Sequence, residues 1–372
     1  MNAVSRSKRN HEARPCVGRL KAFTWRLALP FAGLAVVPFA LLLLCQGTGV
    51  SGDSLLGSDS ATPCNADTDC ASGELCVSSS CQSPQCRKLE DCAAAELCVA
   101  YRCVAPSCTS AGDCSEGASC VDGQCWAPLV EKIGQDRRPM ALVRGLAFLM
   151  GSEDKNAVSD EKPSHWAEVR TFWMDRFEVT VADYQRCIDA GACSTDVRKA
   201  TEDERCSYGG ASMEQHPMNC VSWENARTYC SWAGKRLPSE AEWERAAGGA
   251  QGRPYVWGAG RPSCELTCRK EKDDGCDTGK SCVVGSKPSD LSVFGIADMG
   301  GNVGEWLDDW YDSAYYRLAP RLNPTGPDKG DRKVVRGGDF SDQFDPFRLV
   351  ARDRLEPKLR SGVVGFRCAR DL

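Results

Sequence analysis

The fold is decided by three short stretches near the C-terminus: Gly301-Asn302-Val303-Gly304-Glu305-Trp306, Arg336-Gly337-Gly338-Asp339-Phe340 and Gly365-Phe366-Arg367-Cys368-Ala369-Arg370. The segments around them are also short, rich in aromatic residues and interrupted by Gly and Pro, the residues that most often end regular elements. This pattern predicts short strands joined by many turns.

Three helices are predicted upstream of these stretches. Each begins at a hydroxyl-bearing N-cap residue and ends at a glycine, from Thr180 to Gly191, from Ser222 to Gly234, and from Ser239 to Gly248-Gly249. The last helix starts with Ser239-Glu240-Ala241-Glu242, in which the Ser and Glu three residues apart form a capping box. Three helices among short, irregular segments predict an α+β domain with low regular secondary structure.

These residues carry a family resemblance. The three C-terminal stretches resemble the signature of the formylglycine-generating enzyme (sulfatase-modifying factor) family. Further blocks occur in the family's order: Asp175-Arg176-Phe177-Glu178-Val179-Thr180, Cys220-Val221-Ser222-Trp223, Trp232 to Glu244, and Tyr255-Val256-Trp257-Gly258. The resemblance covers residues 140–372. It implies the family's fold, a variant of the C-type-lectin-like architecture with low regular secondary structure.

The resemblance also implies a structural calcium site. In the family, the loop before Glu-Trp holds Ca²⁺ through one side-chain amide, backbone carbonyls and a glutamate. The matching positions are Asp298, Gly301, Val303 and Glu305. Aspartate in place of asparagine keeps an oxygen ligand and adds charge, which suits calcium. The alternative is a plain glycine-rich turn with a solvated acid.

The residues of the family's reaction are missing. Formylglycine-generating enzymes oxidise a cysteine of a sulfatase peptide with O₂ and with Cu(I) held by two cysteines, because soft thiolates suit Cu(I). Here Asp339 replaces a serine, Asp342 stands at the first copper position, and Gly304 replaces an aromatic residue. Residues 343–348 contain no cysteine for the second position. We therefore expect no copper and predict a pseudoenzyme.

Ten cysteines lie within 140–372. The resemblance implies a disulfide between Cys230 and Cys368. For the other eight, the local pairs Cys187–Cys193 and Cys206–Cys220, and bridges within 264–282, are guesses from proximity in the sequence.

A strict repeat precedes this domain, over residues 64–125. Its cysteines lie at 64, 70, 76 and 81, at 86, 92, 98 and 103, and at 108, 114, 120 and 125, a period of 22 residues. Units this small need cross-links to fold. Zinc is the alternative, but the spacing lacks Cys-x-x-Cys knuckles, so disulfides are favoured, with three pairings open in each unit. A stalk, a protein-contact module or a spacer would suit these small repeats. Residues 126–139 are predicted to be a linker.

The N-terminus predicts export of a bacterial chain. Residues 1–26 are basic, and 27–45 hold an apolar run long enough to span a bilayer. A retained membrane anchor, a cleaved signal and a lipoprotein with lipidated Cys45 remain alternatives. Residues 46–63, rich in Gly, Ser and Asp, are predicted to be a flexible linker. All three alternatives place the rest of the chain in the periplasm or at the cell surface.

The composition and the missing residues together favour a binding function. The net charge is −5, so no nucleic-acid partner is expected. The leading hypothesis is a membrane-tethered binding or structural module for a protein, peptide or glycan. The alternative is a formylglycine-generating oxidase or another peptide-modifying enzyme.

Overall fold

The computed structural model describes most of the chain from Cys70 onward. The described residues are 70, 75–77, 80–86, 92, 97–99, 102–109, 111–115, 118–127, 129–249, 252–269, 279–341 and 345–372. The predicted segments 1–26, 27–45 and 46–63, and the residue Asp342, lie outside this set. Among the described residues, no helix has the length and apolar character needed to cross a membrane.

Each Cys-rich repeat contains one antiparallel hairpin. The hairpins pair β1 (Leu75–Val77) with β2 (Ser80–Gln82), β3 (Leu97–Val99) with β4 (Arg102–Val104), and β5 (Ser119–Val121) with β6 (Gln124–Trp126). In the third repeat the first cysteine pairs with the third and the second with the fourth, as Cys108–Cys120 and Cys114–Cys125. The second-to-fourth pairing recurs as Cys70–Cys81 and Cys92–Cys103. The prediction of disulfides is confirmed.

Two four-stranded sheets frame the larger domain. One has the order β16-β11-β8-β7, with β7 (Val130–Ile133), β8 (Arg138–Val143), β11 (Phe172–Asp175) and β16 (Ala369–Asp371). The other has the order β14-β13-β12-β15, with β12 (Gly304–Trp310), β13 (Lys333–Arg336), β14 (Asp353–Leu355) and β15 (Val364–Gly365). A separate hairpin joins β9 (Ala147–Met150) to β10 (His165–Glu168).

The three predicted helices are present, as α1 (Val181–Asp189), α2 (Trp223–Trp232) and α3 (Glu240–Gly248). Their N-cap residues Thr180, Ser222 and Ser239 each accept a hydrogen bond from the backbone N–H three residues later, which satisfies a donor that the first turn leaves unpaired. The predicted α+β class with low regular secondary structure is confirmed.

The stretch 126–139, which we expected to be a linker, is instead part of the folded domain. Strand β7 lies within it and pairs with β8. The turn between them carries Asp136, which forms an ion pair with Lys235 at 2.8 Å and accepts a hydrogen bond from the Tyr229 hydroxyl at 3.1 Å. The side chains of β7 are mostly exposed, so the strand has no apolar alternation by which the sequence could reveal it.

The third repeat also packs against the domain. Val121 belongs to the main apolar core, and the Asp122 carboxylate accepts hydrogen bonds from Arg245 Nη1 and Nη2 of α3 at 3.1 and 2.6 Å. Asp122 and Gly123 have φ values of 52° and 73°, which is the left-handed backbone of a tight hairpin turn. The turn of this repeat therefore presents its carboxylate to a buried arginine.

Strand β12 separates two buried apolar clusters. Trp306 packs with Tyr229, Phe366 and the Cys230–Cys368 disulfide, whereas the next residue, Leu307, packs with Trp243 and the core of the first sheet. Because successive side chains of a strand point to opposite faces, one strand contributes to both clusters. Gly304 and Glu305, at the start of the strand, likewise lie on opposite faces.

Candidate functional site

Two predicted site residues are neighbours on β12 but face different surroundings. Glu305 pairs with Arg336 of the antiparallel strand β13, and Gly304 pairs with Val364 of the parallel strand β15. Their side-chain positions lie on opposite faces of the sheet. The predicted calcium ligand and the degenerate catalytic position therefore belong to two separate sites.

On the first face, the buried Glu305 carboxylate is held by Arg367 and Trp243. Arg367 Nη2 donates to Glu305 Oε1 at 2.6 Å, its Nε lies 2.8 Å from Oε2, and Trp243 Nε1 donates to Oε2 at 2.9 Å. Arg367 also donates to the carbonyls of Ala297 and Asp298, at 2.9 and 3.3 Å. The arginine of the Gly-Phe-Arg-Cys stretch thus joins the C-terminal segment to the loop 298–305.

Three more buried carboxyl groups surround this ion pair, and we call Glu178, Asp290, Asp298 and Glu305 the acid cluster. Burial, followed by the charge of Asp298, raises the pKa of Asp290 to about 7. Burial raises the pKa of Asp298 to about 6, and the charge of Glu305 adds to this. Burial and the charge of Asp298 also raise the pKa of Glu178 well above its usual range. Arg367 is the guanidinium that opposes these shifts, so the cluster favours an additional cation.

The 298–305 loop brings the predicted calcium ligands to this cluster. Asp298 and Asn302 have φ values of 59° and 65°, and such left-handed residues let the chain turn sharply between the two carboxylate ligands. Gly301 and Val303, the predicted carbonyl ligands, lie within the same turn. The available donors are oxygens, and the cluster is rich in negative charge, so the residues present fit a calcium ion.

On the opposite face of β12 lies a cavity of about 310 Å³, which we call the Gly304 cavity. Its apolar lining includes Val335, Leu355, Val363 and Val364. A Cβ atom at position 304 would lie 2.9 Å from Val335 Cγ1, closer than van der Waals contact permits. Position 304 therefore has no room for a side chain unless Val335 shifts, so glycine lets β12 and β13 pack closely at this wall of the cavity.

The basic side chains at the Gly304 cavity are bound to buried acids. Arg348 donates to both carboxylate oxygens of Glu161 at 2.7 and 2.8 Å, and Arg352 does the same to Glu240 at 2.7 and 2.8 Å. Paired guanidinium groups give this part of the wall a fixed shape with little net charge.

Asp339 lines the same cavity as Gly304, so the structure brings these two degenerate positions together. The Asp339 carboxylate accepts hydrogen bonds from the backbone N–H and the hydroxyl of Ser341, at 2.8 and 2.5 Å. This is the local bonding that aspartate commonly makes in turns. The third degenerate position, Asp342, lies outside the described residues.

Every described cysteine of the larger domain is in a disulfide. Cys230–Cys368, the pair that the resemblance implies, is present, as are the guessed pairs Cys187–Cys193 and Cys206–Cys220. Cys268 pairs with Cys282, and Cys264 is also disulfide-bonded. Thiolates are the ligands that Cu(I) requires, so the described residues do not fit a copper site of the family's type.

Sequence reasoning missed three residues that dominate the first face: Arg367, Glu178 and Asp290. Arg367 and Glu178 lie within blocks that the resemblance had already singled out, but their partners are distant in the sequence. Arg367 and Glu305 are 62 residues apart, and Glu178 and Asn302 are 124 apart. No periodicity reveals contacts at such separations.

Comparisons with known proteins find relatives that match the larger domain. A family model described as a sulfatase-modifying factor enzyme 1-like domain matches residues 127–372. A formylglycine-generating enzyme of Streptomyces coelicolor is 40% identical over 285 residues, covering 64% of this chain and 89% of that protein. The one from Mus musculus is 29% identical over 290 residues, covering 63% and 77%. Among solved structures, PvdO from Pseudomonas aeruginosa has a TM-score of 0.57 and 26% identity, covering 66% of this chain and 98% of that chain.

Proposed function

This chain belongs to the sulfatase-modifying factor enzyme 1-like domain family, and we propose that it is a binding module that takes up a polypeptide segment at the Gly304 cavity. The observation that carries the proposal is the cavity itself, which is lined by Gly304 and Asp339, two positions at which the sequence predicts that residues of the family's reaction are replaced. Of the three ligand classes expected from the sequence, a protein or peptide is preferred to a glycan.

The size and lining of the cavity support this choice. A volume of about 310 Å³ is at the lower end of the range for ligand pockets, which suits one inserted side chain better than a saccharide chain. The apolar wall formed by Val335, Val363 and Val364 would bury an apolar side chain or stem. The guanidinium groups of Arg348 and Arg352 in the lining are bound to Glu161 and Glu240, so they are occupied by acids rather than offered to a sugar ring.

The proposal also includes calcium at the acid cluster, with Asp298 and Glu305 as carboxylate ligands and Gly301 and Val303 as carbonyl ligands. Its support is the unbalanced negative charge of the cluster. The ion would hold the 298–305 loop in place, and through Glu305 it would stabilise the start of β12. Copper is not part of the proposal, because the described cysteines are in disulfides.

For the location, we propose that the chain is exported and remains tethered to the membrane through residues 27–45. The many disulfides support a position outside the reducing cytosol. In a bacterial host, the domain would lie in the periplasm or at the cell surface.

The binding proposal is tested with the full chain, purified in detergent under oxidising conditions. It is screened against a display library of random linear peptides and against an oligosaccharide array. We expect peptides to be selected, and we expect Ser361→Trp, which places an indole at the lining of the cavity, to abolish their binding. Leu318→Trp is the matched control, because Leu318 is 85% exposed and does not line the cavity.

Enzymatic activity is measured in parallel on the same sample. A Cys-x-Pro-x-Arg peptide is incubated with the chain and copper, and conversion of cysteine to formylglycine is followed by mass spectrometry. We expect neither copper retention nor conversion. Conversion would overturn the binding-module proposal in favour of the family's oxidase, and selection of glycans alone would overturn the choice of a peptide ligand.

The calcium proposal has its own test. At a calcium concentration 100 times the Kd, a single site stabilises the folded chain by about 2.7 kcal/mol, which raises Tm measurably. We expect Asp298→Ala to remove this increase and Asp331→Ala, at an exposed site, to retain it. An unchanged Tm of the wild-type chain on adding calcium after EDTA treatment would count against the site.

A further inference from the structure

Residues around the Cys268–Cys282 disulfide, which are not among the proposed calcium ligands, form hydrogen bonds with the 298–305 loop. On one side of it, Thr267 Oγ1 lies 2.8 Å from both the Gly300 carbonyl and Asp290 Oδ2, either of which accepts its proton. The next residue, Cys268, accepts a hydrogen bond through its carbonyl from the Asn302 N–H at 3.0 Å. Two consecutive residues therefore fix the backbone of the loop on both sides of Gly301.

The other end of the same disulfide binds the same loop residue. The Cys282 N–H donates to Asn302 Oδ1 at 2.8 Å, and Asn302 Nδ2 donates in turn to Glu178 Oε2 at 2.6 Å. Asn302 is thus bonded to both cysteines of the Cys268–Cys282 disulfide and to the acid cluster. Removing the disulfide would leave these two partners of Asn302 joined only by the intervening chain.

A third contact reaches a proposed ligand directly. Gly285, three residues after Cys282, donates its N–H to Asp298 Oδ2 at 2.5 Å. Gly301 also packs closely against Thr267 and Cys268. A Cβ atom at position 301 would lie 2.2 Å from Thr267 Oγ1 and 2.9 Å from the Cys268 carbonyl oxygen. Glycine at 301 is required for this approach, and the loop cannot move toward Thr267 and Cys268 any further.

The conformation of the loop needs such support. Asp298 and Asn302 both have left-handed backbones, a conformation that Asp and Asn tolerate better than most residues and that their surroundings help to hold. For Asn302 the surroundings are the two ends of the disulfide. For Asp298 they include the Gly285 N–H, which the same disulfide anchors at Cys282.

We propose that the Cys268–Cys282 disulfide, with Thr267, is a positioning element for calcium: it holds Gly301, Val303 and Asp298 in the geometry that the ion requires. This inference rests on the proposed calcium site. The physical reason is preorganisation, because a cross-link that closes 14 residues restricts the alternative arrangements of the loop before the ion binds. Partners that orient metal ligands typically change affinity 10- to 100-fold when they are lost.

The test measures the calcium affinity of the full chain by isothermal titration calorimetry after EDTA treatment. We expect Cys268→Ser/Cys282→Ser to weaken calcium binding by about tenfold or more. The matched control, Cys187→Ser/Cys193→Ser, removes another local disulfide of the domain and should leave the affinity within about twofold of wild type. Thr267→Val keeps the disulfide, removes the hydroxyl contact to Gly300, and should weaken binding as well.

The outcomes separate the two proposals. If the wild-type chain binds no calcium, the proposed site itself fails. If the wild-type chain binds calcium and the double serine variant binds it equally well with a native circular dichroism spectrum, the site stands and the positioning role is overturned. If the double variant does not fold, Thr267→Val decides, and an affinity equal to wild type overturns the role.

Discussion

Gly304 and Glu305 are consecutive residues of one strand, yet the two faces of β12 have different surroundings. On the Glu305 face, charged groups are buried and bonded to one another, through Arg367, Trp243 and the 298–305 loop. On the Gly304 face, a glycine and an aspartate stand in place of the family's reactive positions and line a cavity.

The two faces differ in how far their residues depend on a buried, oppositely charged partner. A buried carboxylate that loses its cation leaves an uncompensated charge, so Glu305 and Arg367 can be changed only together. Gly304 carries no charged group, and the Asp339 carboxylate bonds to Ser341 at the cavity. The residues that stabilise the fold and those that line the cavity therefore occupy opposite faces of the strand.

The largest expected effect comes from the Cys230–Cys368 disulfide, which fixes the segment that carries Arg367. Cys230→Ala/Cys368→Ala opens a loop of 138 residues, and the chain-entropy relation predicts a loss of about 5 kcal/mol in the free energy of unfolding. Cys187→Ala/Cys193→Ala opens a loop of 6 residues and should cost about 2 kcal/mol. Urea unfolding of both variants measures the difference, and equal losses would show that the long bridge does not dominate.

A direct comparison of the two faces uses one substitution on each. Arg367→Met leaves Glu305 buried without its guanidinium, and we expect a loss of about 4 kcal/mol in the free energy of unfolding. Asp339→Asn keeps an oxygen that can accept from Ser341 and should change the free energy by about 0.5 kcal/mol. Urea unfolding at neutral pH measures both, and similar losses on the two faces would break the proposed distinction.

Local patterns in the sequence predict the parts of the fold in which residues bond to near neighbours along the chain. The N-caps at Thr180, Ser222 and Ser239 predict their helices because each cap bonds a backbone group three residues away. The cysteines recur every 22 residues, and this period indicates the repeats directly. The resemblance to a family supplied the fold of the remainder, including the pair Cys230–Cys368.

Contacts between distant residues were beyond the sequence. Strand β7 lies in the stretch that the sequence predicts to be a linker. Its mostly exposed side chains lack apolar alternation, so it is recognisable only by its pairing with β8. Asp122 gave no sign that its carboxylate would bind Arg245, 123 residues away. The hydrogen bonds of Cys268 and Cys282 with Asn302 likewise depend on tertiary geometry that the spacing of these residues in the sequence does not predict.

Asp309 provides the smallest and most discriminating prediction, because it is a buried acid on β12 without the kind of partner that Glu305 has. Within the part of the chain that the structure describes, its one hydrogen bond comes from the Glu240 N–H at 2.9 Å. Burial, followed by the charge of Glu240, raises the pKa of Asp309 well above its usual range. Removing this charge should therefore stabilise the fold, whereas removing the charge of Arg367 should destabilise it.

The sign of the pH dependence follows from the raised pKa. Between the ordinary aspartate pKa, about 4, and the higher value in the folded chain, the folded state binds more protons than the unfolded state, so the Asp309 contribution to stability falls as pH rises. Asp309→Asn cannot ionise and lacks this loss. We expect its unfolding free energy relative to wild type to increase between pH 4 and pH 8, by at least about 1.4 kcal/mol in total, which is the linkage energy of a single pKa unit. Asp331→Asn, at an exposed position, should show no such trend. If the difference between Asp309→Asn and wild type were constant over this range, burial without a cation would not distinguish Asp309 from Glu305.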